Sequence, residues 1–241
     1  PVKKFRPIAS DKLPVFIATL ELLGFVFLSL VIAISLNQLF FTLILIYLGM
    51  QVLYSLGLKN IHVIDILIIA TGFILRVYAG AFVINAHLSV WFLLCVVSAS
   101  LFLAAGKRRA EINLLEAVDG GTRKSLTKYS KELLDSYVTM FGNATWMSWS
   151  LYTFFESPKA SLSFWMVLAE LSRATTIDKL MMLTIPVVIF GIMRYEALIF
   201  EGKSEAPEKL LLTDKGLIIA VGLWVSLVYS IIYYGVSVSA I

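Results

Sequence analysis

The sequence predicts an all-α, polytopic membrane protein, and three observations carry that prediction. Of 241 residues, 59% are hydrophobic and only 15% are charged, with a mean hydropathy of +0.89. A soluble domain is about 45–50% apolar and about 25% charged, so lipid must be part of the solvent here. The apolar residues fall in continuous runs of about 20, the length a helix needs to cross roughly 30 Å of hydrocarbon, rather than in the alternation of a barrel strand. The cations between those runs are placed unequally on alternate sides.

Spans are predicted at about 14–36, 39–57, 62–84, 89–106, 135–155, 180–200 and 216–240, within one membrane domain, 1–241. The first two are predominantly apolar runs with a minimal break between them. The third carries two ionisable groups, Asp65 and Arg76, and the fourth stops at Gly106-Lys107-Arg108-Arg109. The cytoplasmic loop 107–134 is polar, and Gly120-Gly121 divides it into two predicted short helices, 108–118 and 126–134. After the fifth span, 161–172 is too short to cross and predicts an interfacial helix on the outer face. Pro186 interrupts the sixth span, and the seventh runs to the end.

With these spans, fifteen of the twenty Lys and Arg residues fall on one side, Lys159, Arg173 and Lys179 fall on the other, and Arg76 and Arg194 lie within spans. The positive-inside rule then makes Pro1 and the loop 107–134 cytoplasmic, in the plasma or inner membrane of a prokaryote. A seven-helix receptor has the opposite orientation. The single cysteine, Cys95, excludes an internal disulfide, and two histidines, His62 and His87, argue against zinc. Nothing in the charge pattern suggests nucleic acid, and a homo-oligomer is left open. The opening PVKKFRPIASDKLP is basic, has no apolar core, and reads as the continuation of a longer chain.

Ionisable groups inside spans are costly and often functional. Asp65 lies just after Lys59, Asn60 and His62 at the cytoplasmic end of the third span. It could bind a Mg²⁺ ion carried by a phosphorylated substrate while Lys59 holds phosphate. Equally, it could be a helix-start carboxylate favoured by the macrodipole. Arg76 lies eleven residues on, about 16 Å along the same helix face; an interior ion pair and a lipid-phosphate contact are both open. Lys107, Arg108 and Arg109, followed by Glu111 and Asn113, could grip phosphate, or could simply anchor the helix at the inner face. Tyr129, Lys131 and Asp135 follow at the mouth of the fifth span, Arg194-Tyr195-Glu196 at the end of the sixth, and Asp214 before the seventh. Together they surround one cytoplasmic mouth with carboxylates and cations, suited to joining a soluble anion to a lipid headgroup.

The stretches YSLGLKNIHVIDILIIATGFILRVYAGA (54–81), LFLAAGKRRAEI (101–112), TIPVVIFGIMRY (184–195) and LLLTDKGL (210–217) resemble the decaprenyl-phosphate phosphoribosyltransferase branch of the UbiA superfamily of membrane transferases. The resemblance covers most of the chain. It implies a nine-helix fold, of which seven helices lie here, with a cytoplasmic active site that moves 5-phosphoribose from phosphoribosyl diphosphate to a polyprenyl phosphate in cell-wall lipid biosynthesis, releasing diphosphate with Mg²⁺ present. By matching position, Lys59 and Asp65 fall in a second polar motif, with Asp65 as the metal-binding carboxylate, and Lys107, Arg108 and Arg109 in a basic loop. Arg194, Tyr195 and Asp214 match later marks of the family. The family's first aspartate motif would lie just before Pro1, so the 241 residues alone are expected to be catalytically incomplete.

Two alternatives stand beside this reading. A UbiA-type aromatic or quinone prenyltransferase usually carries a second carboxylate four residues after the first, where this chain has Ile69. A non-catalytic membrane carrier or scaffold would be expected to show internal repeats, and none is evident.

Overall fold

The computed structural model of the protein describes residues 7–8, 10, 12–116, 129–156, 177–201, 210 and 212–233. Among them it is all-α: α1 Val15–Leu36, α2 Gln38–Leu56, α3 Ile64–Val83, α4 Val90–Glu116, α5 Lys131–Phe155, α6 Ile185–Phe200 and α7 Lys215–Tyr233, with 3₁₀ turns at Leu58–Asn60 and Ile177–Thr184. The expected interfacial helix at 161–172 and the middle of the loop 107–134 lie outside the described residues. The chain divides into two compact units, residues 1–52 with 75–87, and residues 53–74 with 88–241.

In the first unit, Asn37 takes an extended backbone that ends α1, and its side-chain oxygen accepts from the Leu39 N–H at 2.8 Å, which starts α2. The same side chain donates to the Phe82 carbonyl at 3.3 Å, tying the helix junction to the end of α3. Large apolar side chains of α1 such as Phe16, Phe25 and Phe27 face outward, which water would not tolerate and lipid does.

The second unit is a packed bundle in which α4 lies against α5 and α6, and α6 against α5 and α7. One core joins Phe102 and Ala105 of α4 to Val138 of α5, Tyr195, Leu198 and Ile199 of α6 and Leu217 of α7. A second joins Ile66 and Ala70 of α3 to Ala104 and Ile112 of α4 and to Tyr129 and Leu134. Small residues let the helices approach: a Cβ on Gly106 would sit 2.8 Å from Ile199 Cδ1 and 3.1 Å from the Tyr195 ring. Near the other end of α5, Trp149 donates from Nε1 to the Thr184 hydroxyl at 2.9 Å, giving a buried indole its partner.

Three boundaries differ from the sequence expectation. The fourth helix does not stop at 106 but runs on to Glu116, so the basic triplet lies on a helix and no separate short helix begins at 108. Hydropathy falls at Lys107, yet Arg108 and Arg109 find carboxylates within the fold, so the helix continues past the apolar run. The fifth helix begins at Lys131 and runs unbroken to Phe155, with Ser130 as its N-cap accepting from Leu133 N–H at 3.1 Å. Finally, Pro186 stands in the first turn of α6, where its missing N–H costs nothing, and the preceding residues form a 3₁₀ turn instead of more α-helix.

Among the described residues, six helical stretches are long and apolar enough to cross a membrane: α1, α2, α3, Val90–Asn113 of α4, Leu180–Phe200 and α7. α5 is long enough, but Asn143, Thr145, Ser148, Ser150 and Thr153 dilute its apolar content. Several of these hydroxyls donate back to carbonyls one turn earlier, Thr145 to Phe141 at 2.7 Å and Ser150 to Trp146 at 2.8 Å, so each is satisfied within the helix.

Candidate active site

The cationic end of α4 is where the candidate residues meet. Arg108 is fully buried, and its guanidinium is shared among three elements. Nε lies 2.9 Å from Asp65 Oδ2 at the start of α3, Nη1 pairs with Glu111 one turn along α4, and Nη2 donates to the Tyr54 hydroxyl at 2.9 Å. Asp65 is equally buried, and its other oxygen accepts from the Tyr129 hydroxyl at 2.8 Å and from the Ile66 N–H at 3.0 Å. Burial together with the hydrogen bond to Asp65 pushes the Tyr129 hydroxyl well above its ordinary value, so it stays a proton donor.

Arg109, one residue on, turns to a different partner set. It pairs with Asp135 of α5 and with Asn113 of α4, and its guanidinium lies 5.7 Å from the Phe200 ring centroid. Asn113 in turn donates to the Ile199 carbonyl at 3.0 Å, which locks α4 to α6. The Arg108–Glu111 and Arg109–Asn113 contacts follow the i, i+3 and i, i+4 spacing of one continuous helix. The predicted helix 108–118 already carried that spacing; what it lacked was continuity with the fourth span.

Lys59 sits in the 3₁₀ turn between Tyr54 and Asp65, half-buried, with no ion-pair partner among the described residues. Lys107 is half-buried on the α4 turn that carries Arg108. The structure therefore brings Lys59, Asp65, Lys107, Arg108 and Arg109 into one region, with Asp135 reaching it through Arg109. The remaining candidates have other partners. Arg194 and Asp214 form a two-pronged pair with each other, at 3.1 and 2.7 Å, and Asp214 also caps α7 by accepting from the Leu217 N–H at 3.0 Å. Those contacts hold the Asp214 carboxyl down to about 2. Tyr195 is buried in the apolar core with its ring 5.1 Å from that of Phe102. Arg76, in the first unit, donates to the Tyr47 hydroxyl and lies 5.1 Å over that ring. From sequence Tyr129 was placed only at the mouth of the fifth span and Tyr54 only within the stretch 54–81, because nothing in the spacing says where a tyrosine hydroxyl will point.

The magnesium expectation can be tested on the donor set. Among the described residues no group of three His, Cys, Asp or Glu side chains gathers around a common point. Asp65 is fully buried; its Oδ1 accepts from the Tyr129 hydroxyl and the Ile66 N–H, and its Oδ2, which accepts no hydrogen bond, lies 2.9 Å from Arg108 Nε, whose guanidinium charge would oppose a divalent cation at the same oxygen. Asp65 in this arrangement does not fit a magnesium ligand.

The UbiA prenyltransferase family model matches residues 1–175. The chain belongs to that family. Relatives named decaprenyl-phosphate phosphoribosyltransferase are similar over nearly its whole length. That of Corynebacterium glutamicum is 34% identical over 97% of this chain and 67% of its own length, and that of Mycolicibacterium smegmatis 34% over 97% and 71%. That of Mycobacterium tuberculosis is 31% identical over 98% and 72%. As a UbiA-family protein with six span-capable stretches, the chain is an integral membrane protein of a transferase family.

Proposed function

We propose that this protein transfers 5-phosphoribose from phosphoribosyl diphosphate to decaprenyl phosphate, releasing diphosphate, at the cytoplasmic face of the membrane in cell-wall lipid synthesis. The observation that carries the reading is the 31–34% identity, over 97–98% of this chain, to relatives bearing that activity as their name. The chemistry of the α4 end supports it. An oxygen of the lipid phosphate attacks the anomeric carbon of the ribose, a C–O bond forms, and the C–O bond to diphosphate breaks as charge builds on the leaving group. Fixed cations near that charge lower the barrier because they need not reorganise during the reaction. Holding both reactants at one interface removes much of the entropic cost of bringing them together.

In this reading Lys59 and Lys107 are the cations that meet phosphate oxygens. Arg108 and Arg109, both buried, hold Asp65, Glu111 and Asp135 beneath them. Magnesium would accompany phosphoribosyl diphosphate as its counterion, while Asp65 is held by Arg108 and Tyr129. The prenyltransferase alternative draws support from the description of the family itself. The deciding experiment gives membranes containing the full-length protein either labelled phosphoribosyl diphosphate with decaprenyl phosphate, or a labelled prenyl diphosphate with an aromatic acceptor. Labelled lipid from the first pair alone is expected; product only from the second would overturn the proposal.

A further inference from the structure

Tyr129 has no part in the reaction as described, yet its surroundings are unusual. It is buried, immediately precedes the N-cap of α5, and lies with its ring 4.0 Å from that of His62. Its hydroxyl has two partners: it accepts from the Val63 N–H at 2.8 Å and donates to Asp65 Oδ1 at 2.8 Å. Val63 has a φ of 66°, a left-handed backbone that a β-branched residue adopts only under constraint. The neighbouring backbone groups are taken up locally: Asn60 N–H reaches the Gly57 carbonyl, Ile61 N–H that of Leu58, and Asp65 N–H that of Ile61. The Val63 N–H is left for a side chain, and Tyr129 supplies the oxygen.

We propose that Tyr129 is a positioning residue, whose hydroxyl clamps the strained turn at Val63 and sets the Asp65 carboxylate on Arg108. The turn carrying Lys59 and the cationic end of α4 are thereby held as one surface toward the anionic substrate. Asp65 belongs to this clamp and acts through Arg108, not through a metal ion. The kinetic consequence rests on the phosphoribosyl-transfer reading; the structural consequence does not.

The test uses the full-length protein with Tyr129→Phe, Val63→Gly, the pair together, and Asp65→Asn. Tyr129→Phe keeps the ring, its contact with His62 and its place in the core, so a tyrosine that merely fills space would lose nothing. The clamp predicts a lower thermal unfolding midpoint for Tyr129→Phe. It also predicts a rise of about tenfold in KM for phosphoribosyl diphosphate, the order of one hydrogen bond, with KM for decaprenyl phosphate little changed. Adding Val63→Gly should recover much of both losses, because glycine takes a positive φ without a clamp. The magnesium concentration giving half-maximal rate should be the same in Asp65→Asn as in the parent. A silent Tyr129→Phe, equal rises in both KM values, no recovery with Val63→Gly, or a higher magnesium requirement in Asp65→Asn would each overturn the proposal. A parent protein that makes no phosphoribosyl lipid would refute the transfer reading instead, and the unfolding midpoints would then decide the clamp by themselves.

Discussion

Asp65→Asn is the perturbation whose cost follows most directly from the structure. The change preserves shape: the side-chain carbonyl can still accept from the Tyr129 hydroxyl and the Ile66 N–H. What it removes is the charge opposite Arg108, and it puts an amide N–H₂ where the guanidinium Nε now finds an oxygen at 2.9 Å. Both partners are fully buried, so solvent cannot replace the lost carboxylate. Glu111 remains on another edge of Arg108 and softens the loss, yet it cannot reach around to Nε. Breaking one side of a buried ion pair costs about 3–5 kcal/mol, because the remaining charge is stranded. The variant should therefore unfold at distinctly lower SDS fraction or temperature in detergent, followed by loss of helical circular dichroism. Removing the stranded charge too, in Asp65→Asn with Arg108→Met, should restore part of that stability, since an apolar replacement for a buried pair is often neutral. An Asp65→Asn protein within about 1 kcal/mol of the parent would refute the buried-pair account.

Three further outcomes are expected. Ser130→Ala removes the cap on α5 and should lower stability by about 1 kcal/mol, read from the same unfolding transition, with Ser130→Asp close to neutral. Asp214 has a folded value near 2, below its unfolded one, so the stability it contributes is complete above the ordinary carboxylate range and is lost as pH falls toward 2. The difference in unfolding midpoint between parent and Asp214→Asn should accordingly narrow between about pH 5 and about pH 2. Gly106→Val would drive a branched side chain into Ile199 and Tyr195 and should cost about 1–3 kcal/mol by overpacking, whereas Gly24→Val, with open space around it, should cost less.

Much of the fold could be read from hydropathy, and the reasons for the misses are local. The first three helices and the last two begin within a few residues of where the apolar runs begin, because in lipid the run itself is the determinant. α4 overran its expected end because hydropathy counts Arg108 and Arg109 as solvent-seeking, whereas the fold pairs them with Asp65, Glu111 and Asp135. The site was legible as a gathering of acids and bases at one helix end. Their pairing was not, since spacing along one helix says nothing of which residue a neighbouring helix presents. Thus Asp65, read as a metal ligand, meets an arginine, and Arg194, read as a phosphate ligand, meets Asp214 beside an α7 N-terminus. Tyr195 shows the same gap: sequence places it beside a charged pair, and helix rotation turns it into the core.

The most direct test of the account is to supply full-length protein in membranes with ribose-labelled phosphoribosyl diphosphate and decaprenyl phosphate, and to follow label into the organic phase. The account predicts a labelled phosphoribosyl lipid that forms only with both substrates, falls sharply in Lys59→Ala, and is accompanied by one diphosphate released for each ribose transferred. Label that stays in the aqueous phase while a prenyl diphosphate is consumed would contradict it.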